Sequence, residues 1–410
     1  MKLRILLVSH YALPHVGGVE TGIAAVAEEL ARRGHELTHL ASAALREGEL
    51  GTGASAAGRG DRGGAPAYRV VRVGAANWLE TRLGVPYPLF SPRLVPALRA
   101  EVARADVVHA HGFLYQSSVV ALALARRAGH RPVRVLTEHV GHVPYPSRAL
   151  DLVERGAVAT LGRAAARSAQ AVVTYNDRVA RELRALAPGA MVARIPNGVD
   201  PDRYRPPGAG ERERLRDALG WDGRPRVLFV GRRVARKGLA AALRAAAVAD
   251  GAFRLAVAGP GLEVPSGAAH VDVLGGVAPA RLAELYRAAD AFVLPSAGEG
   301  FPLSAQEAMA SGLPVVLARD PAYEAALAGA GPGARLVEPE PGALAAEITD
   351  LLADAEARAA AGEDAVSHAR AAFSWPAAAD RHERLYAELG AGVRRAPEPD
   401  PGARRGRGGA

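Results

Sequence analysis

Residues able to do chemistry gather in a few short stretches. Val230-Gly231-Arg232-Arg233-Val234-Ala235-Arg236-Lys237-Gly238 follows an apolar strand-like run and precedes an Ala/Leu-rich helical pattern. Its cations therefore stand beyond a strand end and near a helix N-terminus, two places that favour bound phosphate. Arg grips a diphosphate bidentately, Lys adds a compact charge, and together they can stabilise a leaving group that gains negative charge. Lys237 is one of only two lysines among 51 basic residues. A solvated basic turn is the other reading of this stretch. Further on, Glu299-Gly300-Phe301-Pro302-Leu303-Ser304-Ala305-Gln306-Glu307 follows another strand-like run. Carboxylates accept bidentately from neutral hydroxyls, and Gly300 with Phe301 offers backbone amides at a helix start. Here the alternative is a helix-start acid and one surface acid.

The first half has its own candidates. Asp106-Val107-Val108-His109-Ala110-His111-Gly112 sets two histidines two residues apart at a strand end, so both rings share one face. A buried, satisfied histidine describes His109 better than His111. Thr137-Glu138-His139-Val140-Gly141-His142 follows a further strand and reads equally as a substrate contact or a capping loop. These histidines make a zinc cluster on paper, but they come from separate loops, and the expectation is that no metal is held. Asp200-Pro201-Asp202 reads as a turn.

The elements that must position these residues alternate. Leu3–Val8, Glu36–Ala41, Tyr68–Val73, Val107-Val108, Val133–Leu136 and Ala171–Thr174 are short apolar runs of the kind buried parallel strands show, with helical patterns near 94–104, 117–128, 149–168 and 177–186 between the later ones. After the turn Ile195-Pro196-Asn197-Gly198-Val199-Asp200 the alternation begins again, with Val227–Val230, Leu255–Ala258, Val271–Leu274, Ala291–Leu294 and Val315–Leu317. The expected fold class is α/β: two doubly wound, Rossmann-like domains facing each other across a cleft, with ligands beyond the carboxyl ends of the strands. The expected division is 1–198, 199–372, a helix over 373–389 returning to the first domain, and a disordered basic tail over 390–410. The Gly-, Ala- and charge-rich stretch 46–66 is expected to be a mobile loop.

Composition narrows the function classes. With no cysteine among 410 residues there is no disulfide scaffold, thiolate metal site or cysteine nucleophile. No segment reaches the roughly 18 to 20 apolar residues a membrane span needs, so a soluble, cytoplasmic chain is expected. The net charge of +8 is uneven: residues 1–200 carry 25 Arg/Lys against 16 Asp/Glu, and residues 201–390 carry 21 against 25. The scattered arginines have few interleaved aromatics, so nucleic acid is not expected as a partner, whereas peripheral contact with an anionic membrane at its inner face stays open.

Gly-Arg-x4-Lys-Gly at 231–238, Glu-x7-Glu at 299–307, the Ile-Pro-Asn-Gly-Val-Asp junction and Gly-Gly-Val-Glu at 17–20 together resemble glycosyltransferase family 4. The resemblance runs from about residue 3 to about 389. It implies the GT-B architecture and a retaining enzyme that uses a nucleotide diphosphate sugar as donor substrate, with no cofactor and no metal. Carried over by position, it implies that Arg232 and Lys237 hold the donor diphosphate and that Glu307 binds the ribose. Glu299, with the amides of Gly300, Phe301, Pro302 and Leu303, would hold the transferred sugar. Gly17 and Gly18 would lie near the donor phosphates, and His111 beside the sugar and the acceptor. Glu20, Glu138 and His139 are the acceptor-side candidates. The implied acceptor is a glycan, a lipid-linked molecule or a small molecule, as in cell-envelope or polysaccharide synthesis. A non-catalytic sugar-nucleotide binding module would carry the same motifs. A Rossmann oxidoreductase would need Gly-x-Gly-x-x-Gly after the first strand, where Gly17-Gly18-Val19-Glu20 stands instead.

Overall fold

A computed structural model describes residues 2–15, 18–43, 67–83, 87–139, 148–175, 177–231, 237–261, 264, 268, 270–296 and 301–395. The stretch expected to be a mobile loop, 46–66, lies outside them. The chain forms two compact units. The first holds Met1–Thr174, Arg178–Ile195 and Ala379–Ala410, and the second Tyr175–Asp177 and Pro196–Ala378.

In the first unit the strands are β1 (Arg4–Val8), β2 (Glu36–Ser42), β3 (Arg69–Val73), β4 (Ala75–Ala76), β5 (Leu89–Phe90), β6 (Val107–His111), β7 (Val133–Glu138), β8 (Ala171–Thr174) and β9 (Met191–Arg194). Seven of them make a parallel sheet in the order β3-β2-β1-β6-β7-β8-β9, and β4 and β5 pair antiparallel on their own. β1 and β8 run as Ile, Leu, Val and Ala with hardly an interruption because helices cover both faces of the sheet. Leu6, Val8, Leu40 and Val108 pack with Leu94, Leu98 and Ala121. Further along the same face of the sheet, Ala110, Leu136 and Val172 pack with Leu122, Ala166 and Leu183. Each such large side chain contributes roughly 1.5–3 kcal/mol by leaving water.

The second unit repeats the plan with β10 (Arg226–Val230), β11 (Arg254–Ala258), β12 (Val271–Gly275), β13 (Ala291–Leu294), β14 (Val315–Ala318) and β15 (Ala334–Val337), all parallel, in the order β12-β11-β10-β13-β14-β15. Phe229, Phe253, Phe292, Tyr286 and Tyr323 fill its core. In each sheet the order reverses once, between β1 and β6 and between β10 and β13. Such a reversal opens a crevice outside the carboxyl ends of the two strands, where ligands of doubly wound sheets bind.

The unit boundaries fall at 195/196 and 378/379, a few residues from the expected 198/199 and 372/373. Two contacts explain the shift. The Val199 amide donates to Phe373 O at 2.6 Å, and Val199 forms a parallel bridge with Ser374. A Cβ on Gly198 would stand 2.5 Å from the Trp375 amide nitrogen, so only glycine lets the two strands of chain pass. The final helix also outruns expectation, spanning Trp375–Arg395 rather than stopping near Leu389. Gly390 and Gly392 weaken a helix without breaking it.

Candidate active site

The second unit gathers its candidate residues at the β10/β13 reversal. β10 ends at Val230, and the chain returns at Lys237 and Gly238 to start the helix Leu239–Val248. Gly238 has φ +76°, and a Cβ there would stand 2.2 Å from the carbonyl oxygen of Pro295, just past β13. Glycine thus meets two demands at once, a left-handed backbone and a helix start pressed against the neighbouring strand end. The Lys237 stem lies across Gly231, whose added Cβ would be 3.5 Å from Lys237 Cγ. The base of the Lys237 side chain is therefore carried at the carboxyl edge of β10. Arg232, the expected partner of Lys237, lies outside the described residues.

Past β13, Phe301 stacks on Phe373 with centroids 4.9 Å apart and meets Tyr323 edge-on. Pro302 caps the helix Leu303–Ala310 with no side-chain bond. The amides of Ala305 and Gln306 both go to Pro302 O, and among the described residues those of Leu303 and Ser304 find no acceptor. This leaves two N–H donors at a positive helix end. Glu299 and Gly300, expected beside them, lie outside the described residues. Gln306, buried on the same helix, donates from Nε2 to Phe301 O at 3.3 Å and pins the turn.

Glu307 is buried on that helix. Tyr286 Oη donates to its Oε2 at 3.0 Å, and the Tyr204 hydroxyl lies close enough to act on it. Burial pushes the carboxyl up to about 7, against the opposing pull of the two tyrosines and of Arg203. Neither tyrosine was singled out from the sequence as a partner. Tyr286 sits at core spacing in its helix, and nothing in that pattern marks a hydroxyl aimed at an acid 21 residues on.

In the first unit the β1/β6 reversal holds a cluster of imidazoles. His109 has both ring nitrogens partnered, Nδ1 with Tyr386 Oη at 2.7 Å and Nε2 with Thr137 Oγ1 at 2.6 Å. His111 stacks beside it at 4.5 Å and shares 3.1 Å between Nδ1 and His139 Nε2, while its buried Nε2 has no partner among the described residues. Burial first, and then the neighbouring histidines, hold both rings far below the usual imidazole range, and His139 is pushed down to about 3. These rings are neutral at physiological pH. Glu138 Oε2 accepts from the Phe113 amide at 3.0 Å, so this carboxylate fixes the turn after β6.

The helix Gly18–Arg32 opens on the expected glycine pair, of which Gly17 lies outside the described residues. Glu20 in its first turn is buried 3.3 Å from His15 Nδ1 and 3.8 Å from His10 Nε2. Burial opposes its charge, but the His15 contact, its own backbone amide and the nearby histidines outweigh that and hold the carboxyl below its usual range. His15 Nε2 stands 3.5 Å from Glu80, which accepts from Tyr11 Oη at 2.6 Å and from Asn77 Nδ2 at 3.0 Å. His10, His15, Tyr11, Asn77 and Glu80 were all missed in the sequence, because only the contacts between the loop after β1 and the segment Asn77–Glu80 bring them together.

Asp200 is the turn residue its sequence suggests, its Oδ1 accepting from the amides of Asp202 and Arg203 at 3.0 and 3.3 Å.

Known proteins resemble this chain along most of its length. Residues 16–203 match the family model Glycosyltransferase Family 4, and residues 211–368 match Glycosyl transferases group 1. A protein of Thermobispora bispora named D-inositol 3-phosphate glycosyltransferase is 35% identical over 323 residues, 70% of this chain and 72% of that relative. The chain belongs to glycosyltransferase family 4. A Mycolicibacterium smegmatis member named GDP-mannose-dependent alpha-(1-6)-phosphatidylinositol monomannoside mannosyltransferase is 29% identical over 87% of this chain and 91% of its own. Against other members the chain spans about half the length of the curated relative, as with the D-inositol 3-phosphate glycosyltransferase 2 of Catenulispora acidiphila, 35% identical over 53% of this chain and 56% of that one. The fold is GT-B. Sucrose-phosphate synthase from Thermosynechococcus elongatus superposes with a TM-score of 0.70 at 22% identity, covering 95% of this chain and all of that one. Anabaena HepE in complex with UDP gives 0.68 at 18% identity, with coverage of 95% and 100%.

Proposed function

We propose that this family 4 member transfers a glycosyl group from a nucleotide diphosphate sugar to an acceptor hydroxyl with retention at the anomeric carbon. The observation that carries the reading is the pairing, at one strand-order reversal, of Lys237 past β10 with Glu307 past β13. Lys237 and Arg232 neutralise the diphosphate as the sugar C1–O bond breaks, without a metal ion or cofactor. Glu307, once ionised, accepts from the ribose hydroxyls, and Glu299 with the amides at the start of the helix Leu303–Ala310 holds the sugar. The acceptor oxygen bonds to C1 on the face the diphosphate leaves, and its proton passes to the departing diphosphate oxygen. His111, neutral and with Nε2 unbonded, donates to or accepts from a sugar hydroxyl. Glu20, Glu138 and His139 shape the acceptor side.

The names of the relatives support an acceptor of polyol, glycan or lipid-linked class. Contact with an anionic membrane surface is supported by the excess of arginine in residues 1–200 and by Leu152 and Val153, exposed on the helix Arg148–Ala157. No helix among the described residues is long and apolar enough to cross a membrane.

The experiment is a donor-hydrolysis screen across UDP- and GDP-sugars in the presence of chelator, with product configuration read by NMR. One donor should turn over with its anomeric configuration kept. No hydrolysis of any donor, a strict metal requirement, or an inverted product would each overturn the proposal.

A further inference from the structure

At the opposite end of the second sheet, below the amino ends of β13 and β14, lies a cavity of about 820 Å³. Arg212, Asp290, Arg358, Glu363, Ser367 and Arg370 supply its polar lining, and Pro206, Pro207 and Val366 part of its apolar wall. Asp290 is buried and already well served. Its Oδ2 accepts from the Arg226 amide at 2.8 Å and from Arg216 Nη2, leaving only Oδ1 toward Arg212 and Arg358. Both of those guanidinium groups stop 3.8 Å short of it, an ion-pair distance but not a hydrogen bond.

Arg212 spends Nε on Arg287 O and Arg358 spends Nη1 on Leu352 O. Arg370 is exposed and has no partner among the described residues. Three guanidinium groups thus crowd one buried carboxylate, a fourth stands at the rim, and the one other acid lining the cavity is the exposed Glu363. Charge is left over, and so are donors. Crowding is felt: burial, and then Arg216 and Arg358, hold Arg212 below the usual guanidinium range despite Asp290. An oxyanion would relieve it, because two forked donors facing a cavity match phosphate geometry. The volume exceeds what a bare phosphate fills and lies in the range of small-molecule sites.

We infer that this cavity is a second ligand site, selective for a small phosphorylated molecule, separate from the donor residues at the other end of the same sheet. Arg212, Arg358 and Arg370 bind the phosphate, Ser367 donates a hydroxyl, and the proline and valine wall receives the rest of the molecule.

Calorimetric titration of the full chain with glucose 6-phosphate, with inorganic phosphate and with glucose tests it. The sugar phosphate should bind, phosphate more weakly, and glucose not at all. Lys237→Ala should leave this binding in place, which separates it from the donor site. Arg370→Glu and Ser367→Glu both sit at exposed positions and avoid the Asp290 network, and each should weaken binding at least about tenfold. Absence of binding by either phosphate, binding unaffected by both glutamate variants, or binding lost in Lys237→Ala would each overturn the proposal.

Discussion

Glu307 carries a conflict that can be measured. Burial holds its carboxyl at about 7, whereas an unfolded glutamate ionises near 4.5. Between these values the folded chain keeps a proton the unfolded chain has lost, so stability falls as pH rises through that window. Glu307→Gln should flatten this slope and gain up to roughly 3 kcal/mol above pH 7, while donor affinity drops. Melting curves from pH 5 to 8 check the first half, and donor titration the second. A wild-type melting temperature that does not fall across that range would contradict it. Lys237→Ala should lower turnover on the order of 10²-fold or more with little change in melting temperature, since in the proposed mechanism the charge it removes is the one meeting the leaving group. The two neighbouring histidines should part company. His109→Ala strands a buried hydroxyl on Tyr386 and another on Thr137, and should cost about 2 to 3 kcal/mol of stability. His111→Ala should act on turnover far more than on melting, because its Nε2 has no partner among the described residues.

At the scale of elements, the turn at Gly238 is the tightest link between chain and site. Gly238→Ala sets a methyl against the Pro295 carbonyl in a backbone region that disfavours any side chain. It should destabilise the second unit by roughly 2 to 4 kcal/mol and weaken donor binding together, measured by denaturant unfolding and by titration. The strands that read clearly in the sequence are the central ones, such as Ala291–Leu294 and Val315–Ala318, which are buried along their whole length and so spell continuous apolar runs. Met191–Arg194 and Ala334–Val337 escaped because each is a four-residue edge strand with no residue buried, too short to spell an apolar run, whereas the longer edges Arg69–Val73 and Val271–Gly275 show through their valines. The same logic divides the site. Lys237 and Glu307 stand in local motifs that a linear reading can find, whereas Tyr204, Tyr286, Glu80 and His15 matter only through partners brought in by the fold.

For the whole molecule, the decisive element is the last helix. From Ala379 onward it belongs to the first unit, where Asp380 and Glu383 receive Arg33 at 2.5 and 2.6 Å, Glu383 meets His35 at 2.7 Å, and Tyr386 reaches His109. Ending the chain before Ala379 should therefore unfold the first unit ahead of the second, seen as a separate low-temperature transition in calorimetry. Tyr386→Phe, which removes one hydroxyl, should lower stability by about 1 kcal/mol.

That helix also sets an order of events during synthesis. A ribosome making this chain finishes the second unit while the first still lacks a wall, because the residues from Ala379 onward that close it are made after the whole of the second unit. The opening half must wait through that synthesis with apolar surface uncovered. It is there that a nascent-chain chaperone would find its longest opportunity to bind.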